Sequence, residues 1–195
     1  MLRSEACRRS VSQARRAVLV VFVVVPPNFQ FSIFNFQFSI RNMLSRGLRN
    51  NNPLNIRHSS NRWQGKAKTQ TDPAFVQFVS MAYGYRAAFV LLRTYRMKYG
   101  YNTLRTIIRR WAPPSENNTE RYLANVSKWS GLDPDKPIAG HDANTYIAIV
   151  KAMTRMENGG PLPSSPGGGA SDSPRPYSEE WMMEQIAEGW RLANQ

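Results

Sequence analysis

Cysteine and histidine are almost missing from this chain. Cys7 is the single cysteine, and His58 and His141 are the only histidines. No disulfide framework, cysteine-based metal site or zinc signature can be built from them, and no metal or organic cofactor is expected. Acids are scarce as well: 13 Asp and Glu stand against 26 Lys and Arg, a formal net charge of +13. The one long apolar run, Ala17 to Val25, is too short for a stable membrane span. Residues 1–42 carry six Arg and one Glu (+5), residues 43–157 carry 18 cations and 7 acids (+11), and the remainder carries 2 and 5 (−3). The basic character therefore belongs to the middle of the chain. Such a segment is attracted to polyanions, namely nucleic acid, anionic membrane surfaces and the anionic polymers of a bacterial envelope. Its cations are scattered and form no reading helix, which places nucleic acid behind the envelope polymers as a partner.

The N-terminal segment, 1–42, supports two readings. Arg8, Arg9, Arg15 and Arg16 precede the apolar run in the layout of a signal peptide. However, Asn28-Phe29-Gln30-Phe31-Ser32-Ile33 recurs as Asn35-Phe36-Gln37-Phe38-Ser39-Ile40, a tandem repeat beside Met43. The repeat resembles translated upstream DNA and points to Met43 as the start. A chain starting there is expected in a virion or in the bacterial cytoplasm, and a real signal would send it to the periplasm or outside.

From Met43 the expected class is mainly α with a small β component (α+β). Residues 56–78 alternate and break at turns, which predicts one short irregular β-hairpin. Tyr85, Ala88, Phe89, Leu92, Tyr95 and Tyr99 then recur at three- and four-residue steps, with Gly100 as a cap. A second helix follows Asn102 or Thr103, burying Leu104, Ile107, Ile108 and Trp111 until Pro113-Pro114 stops it. A third starts at Asn118 or Thr119 and ends at Gly131, and a fourth follows Asp142. The helical core domain is expected over 43–157, a Gly/Pro/Ser linker over 158–176, and an acidic amphipathic helix over 177–195 that folds back or binds a partner.

With so few acids, the search for chemistry is short. Asp133 and Asp135 suit turns, Asp142 a helix cap, and Glu120 the first turn of a helix. Glu157 falls at a helix end. Glu116 differs, because it lies in an inter-helix loop beside Asn117 and Asn118 with Trp111 nearby. A carboxyl against an aromatic wall suits a general acid for glycosidic cleavage, and a solvated loop or capping acid is the plain alternative. Asp72, on the hairpin, is the natural second carboxylate. Asn51, Asn52 and Asn55 form a loop able to adopt left-handed and turn conformations. With Trp63, Gln64, Tyr85, Asn117 and Asn118 they offer the amides and aromatic faces of a sugar site, although the same aromatics serve equally as core.

Arg46-Gly47-Leu48-Arg49-Asn50-Asn51-Asn52-Pro53-Leu54-Asn55-Ile56-Arg57, with Trp63-Gln64-Gly65 and Trp111-Ala112-Pro113-Pro114-Ser115-Glu116-Asn117-Asn118-Thr119, resembles phage and prophage virion structural proteins over about residues 46–138. The early part is also similar to the Asn-Asn hairpin of lysozyme-like glucosaminidases, whose hairpin borders the peptidoglycan cleft. The resemblance implies a small lysozyme-like domain of phage origin directed at peptidoglycan, with other virion proteins as further partners. Those enzymes carry a catalytic Glu on a helix before the hairpin, whereas residues 43–55 here contain no Asp or Glu. The implied alternatives are cleavage by Glu116 or envelope binding without cleavage.

Overall fold

The computed structural model describes residues 44–159 and 177–195. The apolar run, the hexapeptide repeat, Met43 and most of the Gly/Pro/Ser stretch lie outside the described residues. Six helices are present among the described residues: α1 (Arg46–Arg49), α2 (Met81–Tyr99), α3 (Leu104–Trp111), α4 (Thr119–Ser130), α5 (Ala143–Glu157) and α6 (Glu179–Ala193). The protein is thus mainly α.

The helix ends follow from local chemistry. Gly100 and Gly131 close α2 and α4 in the left-handed conformation, at φ 69° and 73°, which glycine adopts without a Cβ penalty. Thr103 and Thr106 form a reciprocal capping box at the start of α3. Asn118 and Asp142 accept from backbone N–H groups in the first turns of α4 and α5. Along α3, Leu104, Ile107 and Ile108 are fully buried, while Arg109 and Arg110 are exposed.

The core gathers Tyr85, Phe89 and Leu92 from α2, Tyr146, Ile149, Val150 and Met153 from α5, and Met182 and Ile186 from α6. Burial of each large aliphatic or Phe side chain contributes about 1.5–3 kcal/mol. The acidic C-terminal helix therefore folds back. It lies along α2 with Gly189 at the crossing, where a Cβ would come within 2.5 Å of Tyr85 Cβ and 2.9 Å of the Ala82 carbonyl oxygen. Phe89 meets Trp190 edge to face at 5.1 Å, and Lys151 of α5 pairs with Glu179 at 2.7 Å.

The expected β-hairpin is reduced to two isolated antiparallel bridges, Arg57 with Phe75 and Lys66 with Phe78. Side-chain amides take over much of what a ladder would do. Gln70 donates to the carbonyls of Ala67 and Gln77, and its own carbonyl accepts from Gln77 N–H. Asn52 donates to the Ile56 and Val76 carbonyls. The segment is ordered by side chains and has little regular strand pairing.

Candidate functional site

The Asn-rich loop is built inward from α1. Ser45 caps this short helix and bonds across the fold to Asn158, just past α5. Asn51 and Asn55 both take left-handed backbone conformations, at φ 51°, which asparagine tolerates better than most residues. Asn51 donates to the Phe78 carbonyl at 3.1 Å. Asn52, fully buried, donates to two carbonyls at 2.9 and 2.7 Å and accepts from Ile56 N–H at 2.9 Å. Gly84 of α2 lets the loop lie against that helix, since a Cβ there would be 2.1 Å from the Asn51 carbonyl oxygen.

Asp72 is tied into the same scaffold. Arg46 grips it through two bonds of 2.7 Å, Asn50 donates at 2.8 Å, and the N–H groups of Ala74 and Phe75 each donate at 2.9 Å. The Arg46 guanidinium, helped by Asn50 and the two backbone donors, holds this carboxyl well below the usual carboxylate range, against the opposing effect of burial. An acid kept ionised this way has no proton to give.

Beside the loop is a cleft of about 340 Å³. One wall is the loop itself, with Asn55, Ile56, Arg57, His58 and Trp63. The other wall is Leu91 and Tyr95 of α2, Arg110 and Trp111 of α3, and the following Pro113 and Glu116. Glu116 and Arg57 bridge the cleft at 3.1 Å, with side chains 53% and 63% exposed, so solvent screens this pair. His58 Nε2 is 2.9 Å from the Asp72 carbonyl oxygen, a contact that requires the proton on Nε2. Burial pushes the Tyr95 hydroxyl up, so this ring presents a neutral polar edge. Trp63 Nε1 is buried with no hydrogen-bond partner among the described residues.

Behind two of these wall residues sits Glu157, the last residue of α5. Its carboxylate accepts from Asn55 Nδ2 at 2.8 Å, Tyr122 Oη at 2.9 Å and Trp111 Nε1 at 3.3 Å. Burial, followed by the adjacent negative charge, pushes the Tyr122 hydroxyl far up. Glu157 thus joins the Asn-rich loop, α3 and α4 at one point.

The sequence-predicted residues are divided by this arrangement. Glu116, Asn55 and Trp63 line the cleft, whereas Asp72 does not. The two carboxylates face different guanidiniums and do not form a pair. Asn51 and Asn52 bond within the loop scaffold. Tyr85 is buried in the core, where desolvation pushes its hydroxyl up, and it contributes nothing to the cleft. Gln64 and Asn117 are exposed outside the cleft, and Asn118 caps α4. Arg57, Arg110, Tyr95 and Glu157 escaped sequence reasoning. Arg57 lies inside one distinctive motif and Arg110 directly before the other, while Tyr95 and Glu157 read in the sequence as helix-face and helix-end residues.

A second concavity of about 380 Å³ lies between Gly131 and Thr145. Its acids are committed locally: Asp133 accepts from Asp135 N–H, and Asp142 caps α5. Among the described residues no cluster of three His, Cys, Asp or Glu could hold a metal, and no helix is long and apolar enough to cross a membrane.

No family model matches the chain. Over 121 residues it is 42% identical to protein P5 of Pseudoalteromonas phage PM2, an alignment covering 60% of this chain and 74% of that protein.

Proposed function

The chain belongs to the family of protein P5 of Pseudoalteromonas phage PM2, and from that premise we propose that it is a non-enzymatic phage virion protein whose cleft engages glycan of the bacterial envelope. One observation supports the non-enzymatic part: among the described residues Glu116 lines the cleft with no second carboxylate beside it. Glu116 meets Arg57, Asp72 meets Arg46, and Glu157 accepts from three side chains. Glycosidic cleavage ordinarily needs a pair of carboxylates flanking the scissile bond. The aromatic rings Trp63, Tyr95 and Trp111 support a sugar-binding reading, since flat apolar faces with polar edges suit pyranose rings.

The test is to mix the purified chain with peptidoglycan sacculi, sediment them, and analyse the supernatant by mass spectrometry. Co-sedimentation without soluble muropeptides is expected, together with recovery of the protein from purified particles. A second reading, hydrolysis by Glu116, draws on the presence of Glu116 in the same cleft as Trp63 and Trp111. Muropeptides released by the wild type and not by Glu116→Gln would establish it.

A further inference from the structure

We propose that Glu116 is a built-in occupant of an anion site, and that the cleft selects glycans bearing a carboxylate, which displaces Glu116 from Arg57. This rests on the reading that the cleft binds envelope glycan. Two guanidiniums, Arg57 and Arg110, line the cleft, and among the described residues Glu116 is the only acid lining it. Glu116 pairs with Arg57 through a single 3.1 Å contact between two side chains that are each more than half exposed. Arg110 is exposed and meets no carboxylate among the described residues. The lining therefore carries one positive charge in excess, and its internal ion pair is of the weak, screened kind that an incoming anion can exchange. A guanidinium matches a carboxylate in shape and charge.

The ligand has more than charge. Trp63 and Trp111 line the same cleft as the two cations, so a sugar ring carrying a carboxylate meets apolar ring faces and guanidiniums together. A polyphosphate strand is less suited. Nucleic acid brings a charge at every nucleotide and favours a continuous cationic track, whereas this cleft offers two guanidiniums and keeps an acid between its walls. An acidic sugar, with isolated carboxylates among hydroxyls, fits that count.

Isothermal titration with two soluble probes tests the assignment: a neutral N-acetylglucosamine oligosaccharide, and a peptidoglycan fragment of equal ring number with free carboxylates. The acidic probe is expected to bind more tightly. Glu116→Gln is expected to tighten it by roughly two- to fivefold, the range of a screened surface pair, and to leave the neutral probe unchanged. Arg110→Gln is expected to weaken the acidic probe alone. Both positions are exposed, and unchanged thermal melting checks that the variants fold. Equal binding of the two probes, insensitive to either substitution, overturns the carboxylate assignment while the glycan reading stands. No binding of either probe overturns both. Tighter binding of a single-stranded oligonucleotide, enhanced by Glu116→Gln, replaces the glycan with nucleic acid.

Discussion

At the scale of single residues, the acids of this protein act as fasteners. Asp72 is the clearest case, with Arg46, Asn50 and two backbone N–H groups around one carboxylate that is 9% exposed. Asp72→Asn is expected to cost about 2–3 kcal/mol in chemical denaturation, the size of charged hydrogen bonds lost from a sheltered site. The pH dependence has a definite sign. The folded-state carboxyl lies below its unfolded value, so its stabilisation is complete above the ordinary Asp range, roughly pH 4, and fades as pH falls further. The melting gap between wild type and Asp72→Asn should therefore shrink on acidification below that point. A gap that widened would refute the assignment.

Glu157 makes the same argument from an unfavourable position. A negative charge at a helix C-terminus opposes the helix dipole, so its place at the end of α5 does not help that helix. What it offers is acceptance of three donors from three other segments. Glu157→Ala leaves Trp111 Nε1 and the buried Tyr122 hydroxyl without their acceptor. A loss of about 2–4 kcal/mol is expected in urea unfolding, with a shift in Trp emission from the cleft. Stability unchanged within error would show the hub to be dispensable.

At the scale of elements, the docking of α6 on α2 is controlled by one glycine and two arginines. Arg86 and Arg93 donate to the Leu192 and Ala193 carbonyls, satisfying groups that the end of a helix leaves unpaired. Gly189→Ala sets two effects against each other. Helix propensity gains about 1 kcal/mol, but the new Cβ meets the Ala82 carbonyl oxygen at 2.9 Å and Arg86 N at 3.0 Å, backbone atoms that cannot rotate away. Overpacking costs about 1–3 kcal/mol, so a net loss is expected. Limited proteolysis checks it: α6 should be clipped faster in the variant, and equal rates would mean that the interface relaxes freely.

At the scale of the whole molecule, residues 43–157 hold 18 cations and 7 acids while residues 158–195 hold 2 and 5, so α6 brings acidic charge against a basic body. Only part of the excess is paired locally: Arg105 engages Asp135 and Glu120, and Arg109 shares Glu120. A net +13 chain should adsorb to anionic envelope polymers with strong salt dependence, because the Debye length falls from about 10 Å at 0.1 M to about 3 Å at 1 M. Sacculus co-sedimentation is expected to drop severalfold between those concentrations. Salt-independent retention would assign binding to the aromatic faces alone.

The sequence by itself determined the helices and where they end. Gly100, Thr103, Asn118, Gly131 and Asp142 act within one turn of their own position, and the three- and four-residue spacing of apolar side chains determined most of the buried faces, although Tyr99 at the end of the α2 stripe is exposed and Trp111 only half-buried. The short-range signals for Asn51 and Asn55 as loop formers were legible for the same reason. Only the tertiary structure decided the site. Arg46 and Asp72 are 26 positions apart, Arg57 and Glu116 are 59 apart, and Asn55 and Glu157 are 102 apart. Which acid meets which donor depends on how α2, α3 and α5 stack against the Asn-rich loop. That stacking follows from summed burial across the whole core and from close approaches such as Gly84 against Asn51, none of which leaves a periodic trace in the chain.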